Sequence, residues 1–230
     1  MKIHCPYHED ANPSMHCYPE YAHCFVCNKT IPINEVMTSE ELKKIRPKEK
    51  ENIAQNLQRI LELPKTKIRG LQLHTEKDGS YYVVWPDKTF YKHRVNYDSK
   101  SRYIGPRGHR PPLFVCNSTS SSKDILVVCE GEANTLSLEL ALNEPRISLV
   151  SPGSANEMVT HLSYYLQYKR IVIVVDKDAP GVYNGLMLRY ELAKAGKIVD
   201  LMALETDFND LLQQGGPELV RKTFMKELGI

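Results

Sequence analysis

The sequence predicts an α/β protein whose C-terminal half is built on a parallel sheet, preceded by a small cysteine-rich module, a helical linker and a basic β-rich segment. Three observations carry this. From Asp124 onward, apolar β-branched segments alternate with helical ones, the pattern of strand–helix–strand crossovers in a parallel sheet. Four of the six cysteines lie within the first 27 residues. Between Lys65 and Val115 the periodicity is that of strands and hairpins, and eleven basic residues stand against four acidic ones in a chain whose net charge is only +2.

With 230 residues, 42% hydrophobic and 25% charged, the chain is long enough for one sizeable core or a few small modules. No apolar run approaches the roughly 18 residues of a membrane span, and MKIHCPYHED lacks the apolar stretch of a signal peptide. A cytoplasmic location is expected. In that compartment clustered cysteines signify metal rather than disulfides.

The first module, residues 1–38, offers Cys5 and His8 as a C-x2-H pair and Cys24 and Cys27 as a C-x2-C pair, with fifteen residues between them. Two knuckles joined by a hairpin-length segment suit tetrahedral Zn²⁺ in a closed, structural Cys₃His site, giving a zinc-ribbon-like module. So short a segment cannot bury enough apolar surface to fold unaided, so the metal supplies folding energy. Cys17 is the spare thiol; His4, His16 and His23 remain alternative ligands.

Residues 39–64 read as a helical linker. Ser39 is the expected N-cap for EELKKI, Pro47 interrupts the run, and Ile53, Leu57, Ile60 and Leu61 recur at helical spacing. It is read as a tether with a solvated polar face.

Residues 65–122 form the basic β-rich segment. SYYVVWP and TFYKHRV are strands separated by a PDK turn. The aromatics Tyr81, Tyr82, Trp85, Phe90, Tyr91, Tyr97 and Tyr103 interleave with Lys92, Arg94, Lys100, Arg102, Arg107 and Arg110, the composition of a platform for single-stranded nucleic acid, with about half of the rings expected to serve as packing. Lys92, Arg94, Arg102 and Arg107 are the candidate phosphate contacts. NSTSSSK, residues 117–123, is a polar connector.

Residues 123–230 carry the α/β pattern: DILVVCEGEANTLSLELAL, RISLVSPGSANEMVTHLSYYL and KRIVIVVDKDAPGVYNGLMLRYELAKAG each read as strand, turn and helix, followed by KIVDLMAL and an amphipathic C-terminal helix. Glu130 leaves the first strand and Asp176 and Asp178 leave the third; Asp207 and Asp210 follow the fourth. All should gather at the carboxyl edge of one sheet, where open α/β sheets bind ligands. Like charges so close either bind a cation or are protonated, and oxygen ligands suit Mg²⁺ or Mn²⁺. Nothing in these turns offers enough competing Lys or Arg, which favours the cation. Gly131 permits a tight turn with close backbone approach, and Gly153 with Ser154 offers free amides at a helix start for a phosphate.

CPYHEDANPS followed by HCFVC resembles the zinc-binding domain of bacterial and phage DNA primases, matching at Cys5, Pro6, His8, Asp10, Pro13, Ser14, Cys24, Phe25 and Cys27. That resemblance implies a module that reads a template trinucleotide and helps hold the primer. RYIGPRGHRPPLF is more loosely similar to the stretch preceding the primase catalytic core. VVCEGEANTLSL, VSPGSANE, VVDKDAPG and TDFNDLL resemble the TOPRIM catalytic core of primases, topoisomerases and some nucleases. It implies Glu130, Asp176 and Asp178 as catalytic residues and Asp207 as a further metal ligand, with Asp210 transferred less directly. Primases often place an aspartate four residues after the glutamate; here that residue is Asn134.

The resemblance implies a DNA primase that makes short RNA primers from nucleoside triphosphates on single-stranded DNA, in a bacterial or phage-infected cell. The alternatives are a TOPRIM nuclease, in which the same acids cut, and a non-catalytic single-strand-binding adaptor, which the neutral Asn134 favours. No G-x-x-x-x-G-K-[ST] loop occurs, so a replicative helicase is expected to be a separate partner.

Overall fold

The computed structural model describes residues 2–18, 21–38, 40–41, 51–95, 103–116 and 124–228. They belong to two compact units, Met1–Glu51 and Asn52–Ile230. Among the described residues no helix is long and apolar enough to cross a membrane.

The first unit is a four-stranded antiparallel sheet of β1 (Lys2–Ile3), β2 (Met15–Cys17), β3 (Tyr21–Cys24) and β4 (Thr30–Pro32), in that order, followed by a single 3₁₀ turn at Ile33–Glu35. Its core is Cys5, Met15, Cys17, Ala22, Cys24, Ile33 and Met37. Beyond it, the Thr38 hydroxyl accepts from the Glu41 N–H at 3.3 Å while the Thr38 N–H donates to Glu41 Oε2 at 2.9 Å, a capping box. The cap expected at Ser39 falls outside the described residues, and the reciprocal pair uses Thr38 because the motif places the glutamate three positions after the cap, with two residues between them.

The second unit begins with α1 (Ile53–Leu61), capped by the Asn52 side chain, which accepts from the Gln55 N–H at 3.2 Å. Leu57 and Ile60 are buried against Tyr82 and Tyr91, so this helix is packed rather than a free tether. An antiparallel meander follows: β5 (Lys65–Ile68), β6 (Leu71–Thr75), β7 (Tyr81–Val84), β8 (Tyr91–Arg94) and β9 (Tyr103–Ile104), ordered as in the sequence. On β7, Tyr81 and Val83 face one core and Tyr82 packs beneath α1. Both faces are therefore covered. Tyr81, Tyr82, Trp85, Phe90 and Tyr91 are buried and Tyr103 is half-buried, which corrects the expectation of a ring platform; Tyr97 lies outside the described residues.

The parallel sheet comprises β11 (Ile125–Cys129), β12 (Ile147–Ser151), β13 (Arg170–Asp176) and β14 (Ile198–Leu204), with β10 (Phe114–Val115) added antiparallel to β12. Strand order is β10-β12-β11-β13-β14. The crossovers are α2 (Glu132–Leu142), a 3₁₀ turn at Ala155–His161 leading into the four-residue α3 (Leu162–Tyr165), and α4 (Ala179–Lys194). The full second helix expected from the pattern is thus mostly 3₁₀, in keeping with the weak helix formers Asn156, Val159 and Thr160. The last element, α5 (Phe208–Leu228), breaks at Gly216, whose φ of 72° a helix cannot continue through. The sheet is buried on both faces: Val127, Cys129, Val172 and Val174 share a core with the meander and α5, while Leu126, Val128, Ile171, Ile173 and Val175 pack with Leu188 and Leu192 of α4. This explains the unbroken apolar strand sequences.

One ion pair joins the meander to the parallel sheet. Lys92 Nζ on β8 donates to Glu132 Oε1 at 2.7 Å and to the Gly153 carbonyl at 2.6 Å, with both side chains buried. Lys92→Met leaves the Glu132 carboxylate buried and unpaired and is expected to cost about 3 kcal/mol in urea unfolding. A double replacement of both residues by apolar side chains should recover most of the loss; no recovery would mean that the pair is not the cause.

Candidate functional site

In the first unit, one ligand atom from each of Cys5, His8, Cys24 and Cys27 lies within 4.8 Å of the others. Among the described residues this is the one group of three or more such donors drawn so close. Cys5 and His8 sit in the turn after β1, Cys24 ends β3, and Cys27 stands on the following knuckle, where Asn28 turns the chain with a φ of 55°. Asp10 supports them: its Oδ2 accepts from the Cys5 N–H at 2.8 Å and the Ser14 hydroxyl at 2.7 Å, and its Oδ1 lies 3.1 Å from His8 Nδ1. His8 is thereby oriented with Nε2 toward Cys24 Sγ, 3.2 Å away. Burial opposes ionisation of Cys24, yet hydrogen bonds from the Cys27 N–H, Ser14 and His8 bring its thiol down to about 5. A thiolate, soft sulfur donors and an imidazole held through its other nitrogen fit Zn²⁺. Of the alternatives, His23 bonds Thr30 Oγ1 at 2.7 Å, Cys17 is buried in the core, and neither they nor His4 and His16 join the group.

The second unit places its acids at a topological switch point. From β11 the chain moves to β12 on one side and then to β13 on the other, so a crevice opens beyond the carboxyl ends of β11 and β13. Asp176 ends β13; Asp178 is the N-cap of α4, its Oδ1 accepting from the Gly181 N–H at 2.7 Å. Asp207 precedes α5 and its Oδ1 accepts from the Asp210 N–H at 3.2 Å. Asp176, Asp178, Asp207 and Asp210 line one open cleft of about 390 Å³ together with Lys177, Leu204, Glu205 and Thr206. Glu130 follows β11 behind this lining, its Oε2 accepting from the Asp176 N–H at 3.4 Å. Lys177 is a cation in the cleft wall, paired with Glu205 rather than with the four aspartates.

Crowding of the acids is visible in their protonation. Burial, then the Asp176 charge, pushes Glu130 up to about 7. Burial and the charges of Asp207 and Asp178 raise Asp176; burial raises Asp207, offset in part by the hydrogen bond from the Asp210 N–H and by Arg69 in the β5–β6 turn, while the Asp210 charge adds to the rise. Between its ordinary value of 4.5 and about 7, Glu130 holds a proton in the folded chain that the unfolded chain has released, so raising pH across this window favours unfolding. Metal-free protein is therefore expected to lose this part of its stability from pH about 4.5 to 7, and Glu130→Gln to abolish that part; equal pH profiles for the two proteins in urea would refute it.

At the cleft, Gly181 must be a glycine. A Cβ there would lie 2.6 Å from the Asp176 carbonyl, 2.8 Å from Glu130 Oε2 and 2.9 Å from Asp178 Oδ1, so its absence lets α4 close onto the acids. Gly131, expected to provide close approach, is extended with open space where a Cβ would point. Gly153 has no free amide: its N–H donates to Ser151 Oγ at 2.9 Å, and that hydroxyl donates to the Glu130 carbonyl at 3.1 Å. Ser154 is the extended N-cap of the 3₁₀ turn, with no side-chain cap bond. The turn braces Glu130 and Lys92 instead of cradling an anion at Gly153.

Lys92, expected to guide phosphates, is consumed by its buried pair. Arg94 is half-buried, its Nη1 donating to Tyr81 Oη at 3.4 Å and its guanidinium 5.7 Å from the Tyr103 ring. Arg107 is exposed, and Arg102 lies outside the described residues. Residue type and spacing carry no signal for the roles of Lys177 and Arg69 or for the bonding of Asn134, whereas Gly181 leaves one, as the Pro-Gly after the Asp-x-Asp pair.

The Toprim domain family model matches residues 125–218. Among solved structures, the primase fragment of the bacteriophage T7 primase-helicase protein is similar at 18% identity over 99% of this chain and 98% of that one, with a TM-score of 0.50. The zinc-binding and RNA polymerase domains of the Aquifex aeolicus primase align at 16% identity over 98% and 78%, with a TM-score of 0.46. No curated protein matches. Residues 125–218 are thus a Toprim domain, within a chain that shares its fold with the phage T7 primase fragment.

Proposed function

We propose that this chain is a DNA primase, joining nucleoside triphosphates into short RNA primers on single-stranded DNA for replication. The observation that carries the reading is the convergence of Asp176, Asp178, Asp207 and Asp210 on one open cleft of a Toprim domain. The Cys₃His group in the same chain supports nucleic acid as its template.

In this reading Asp176, Asp178 and Asp207, with Asp210, hold Mg²⁺ or Mn²⁺. When bound, the cation supplies positive charge to the triphosphate and to the departing pyrophosphate. Glu130 is placed to help hold the cation or to accept the proton of the attacking 3′-hydroxyl, and its Oε2 is steadied by the Asp176 N–H. Residues 1–38 serve as the structural zinc module, 39–64 as the link to the polymerase region, 65–122 as its basic flank, with Arg107 and Arg102 as phosphate contacts, and 123–230 as the catalytic domain. A replicative helicase is the proposed partner; the similar T7 fragment comes from a primase-helicase protein.

The test is incorporation of labelled ribonucleotides on a single-stranded template with Mg²⁺ or Mn²⁺. Short products beginning with a triphosphate are expected, and sequencing their 5′ ends gives the template preference. Metal-dependent cutting of DNA without triphosphate would assign the cleft to a nuclease instead; tight single-strand binding with no incorporation in either metal would make the chain an adaptor.

A further inference from the structure

Asn134 stands where the primase resemblance leads one to expect a further carboxylate, and its contacts give that neutrality a purpose. We propose that Asn134 is a positioning residue that locks Asp176 and the start of α5 together before any cation binds, in a cleft built with one ligand charge fewer. The inference deepens the metal-site reading above and rests on it.

Asn134 lies in the first turn of α2 and is 7% exposed. Its Oδ1 accepts from the Phe208 N–H at 2.8 Å and the Asn209 N–H at 3.4 Å. These are the first two N–H groups of α5, which no partner inside the helix can satisfy. Because two donors face that atom, it must be the oxygen, and the amide NH₂ is turned to Asp176, with Nδ2 donating to Oδ1 at 3.5 Å. One side chain thus joins three elements: α2, the end of β13 and the start of α5. Two of them carry the cleft acids, Asp176 on one side and Asp207 with Asp210 on the other.

An aspartate at this position would still receive the α5 N–H groups, but it would set an oxygen against Asp176. Two half-buried carboxylates in contact repel unless a cation stands between them. An amide alone accepts from backbone N–H on one side and donates to a carboxylate on the other with no cation required. The acids are therefore oriented in advance, and cation binding should do little for the fold.

The full chain, Asn134→Asp and the double variant N134D/D176N are compared by thermal melting without and with Mn²⁺, and by calorimetric Mn²⁺ titration. Without divalent ion, Asn134→Asp is expected to melt about 5 °C lower. Mn²⁺ should restore most of that loss and bind about ten-fold more tightly than to the parent. The double variant, with amide and carboxylate exchanged, should regain the parent melting temperature without ion. Asn134→Asp melting like the parent in the absence of ion, or a double variant that melts no higher than the single one, would overturn the proposal. Neither readout uses nucleotide, so a chain that makes no primers refutes the primase reading and leaves this result standing.

Discussion

Replacing Asp176 and Asp178 together by alanine is expected to reduce primer synthesis by about 10³-fold or more while leaving the chain folded. In the proposed reading, several kcal/mol of transition-state stabilisation depend on the cation these residues would hold. Stability should change little, because two effects oppose each other. Loss of the Asp178 cap on the Gly181 N–H costs about 1 kcal/mol. Removing the half-buried Asp176 carboxylate, and with Asp178 the charges that raise Glu130, returns stability. Asp178→Ser separates cap from ligand: serine can still accept from Gly181 but brings no charge, so it should fold like the parent and remain strongly impaired. Full activity of the double alanine variant would remove the cleft from the mechanism.

Removing zinc is expected to unfold the Met1–Glu51 unit and leave Asn52–Ile230 intact. Among the described residues seven make up the buried core of the first unit, and Cys5 and Cys24 among them also belong to the Cys₃His group. Without the metal that core has too little apolar surface to offset chain entropy; a structural Zn²⁺ contributes about 10–16 kcal/mol of apparent binding energy. Limited proteolysis after chelation, or of Cys24→Ser, should cut within residues 1–51 and spare the second unit, whose cores are built from its own sheets and helices. Unchanged protection of the first unit in metal-free protein would show that it stands on packing alone.

Much of the fold and the outline of the site could be read from the chain itself. The Cys₃His group was legible because donors with two residues between them on a turn converge through local geometry. The acids at strand ends were legible because an apolar run buried on both faces must belong to a parallel sheet, and the carboxyl ends of such strands gather at one edge. Asp176, Asp178, Asp207 and Asp210 do meet in one cleft. What could not be read depended on which face of an element another element covers. The rings on β7 and β8 looked like a platform until α1 closed one face and the parallel sheet the other. Lys92 looked available until its partner, forty residues away, buried it. Asn134 looked like a missing charge, because its bonds reach 42 and 74 residues along the chain to Asp176 and Phe208. Residue type and spacing determine which groups a turn or strand end presents; only tertiary packing decides which of them face solvent and which are spent on one another, since hydrogen bonds and ion pairs between distant segments leave no periodic trace in the sequence.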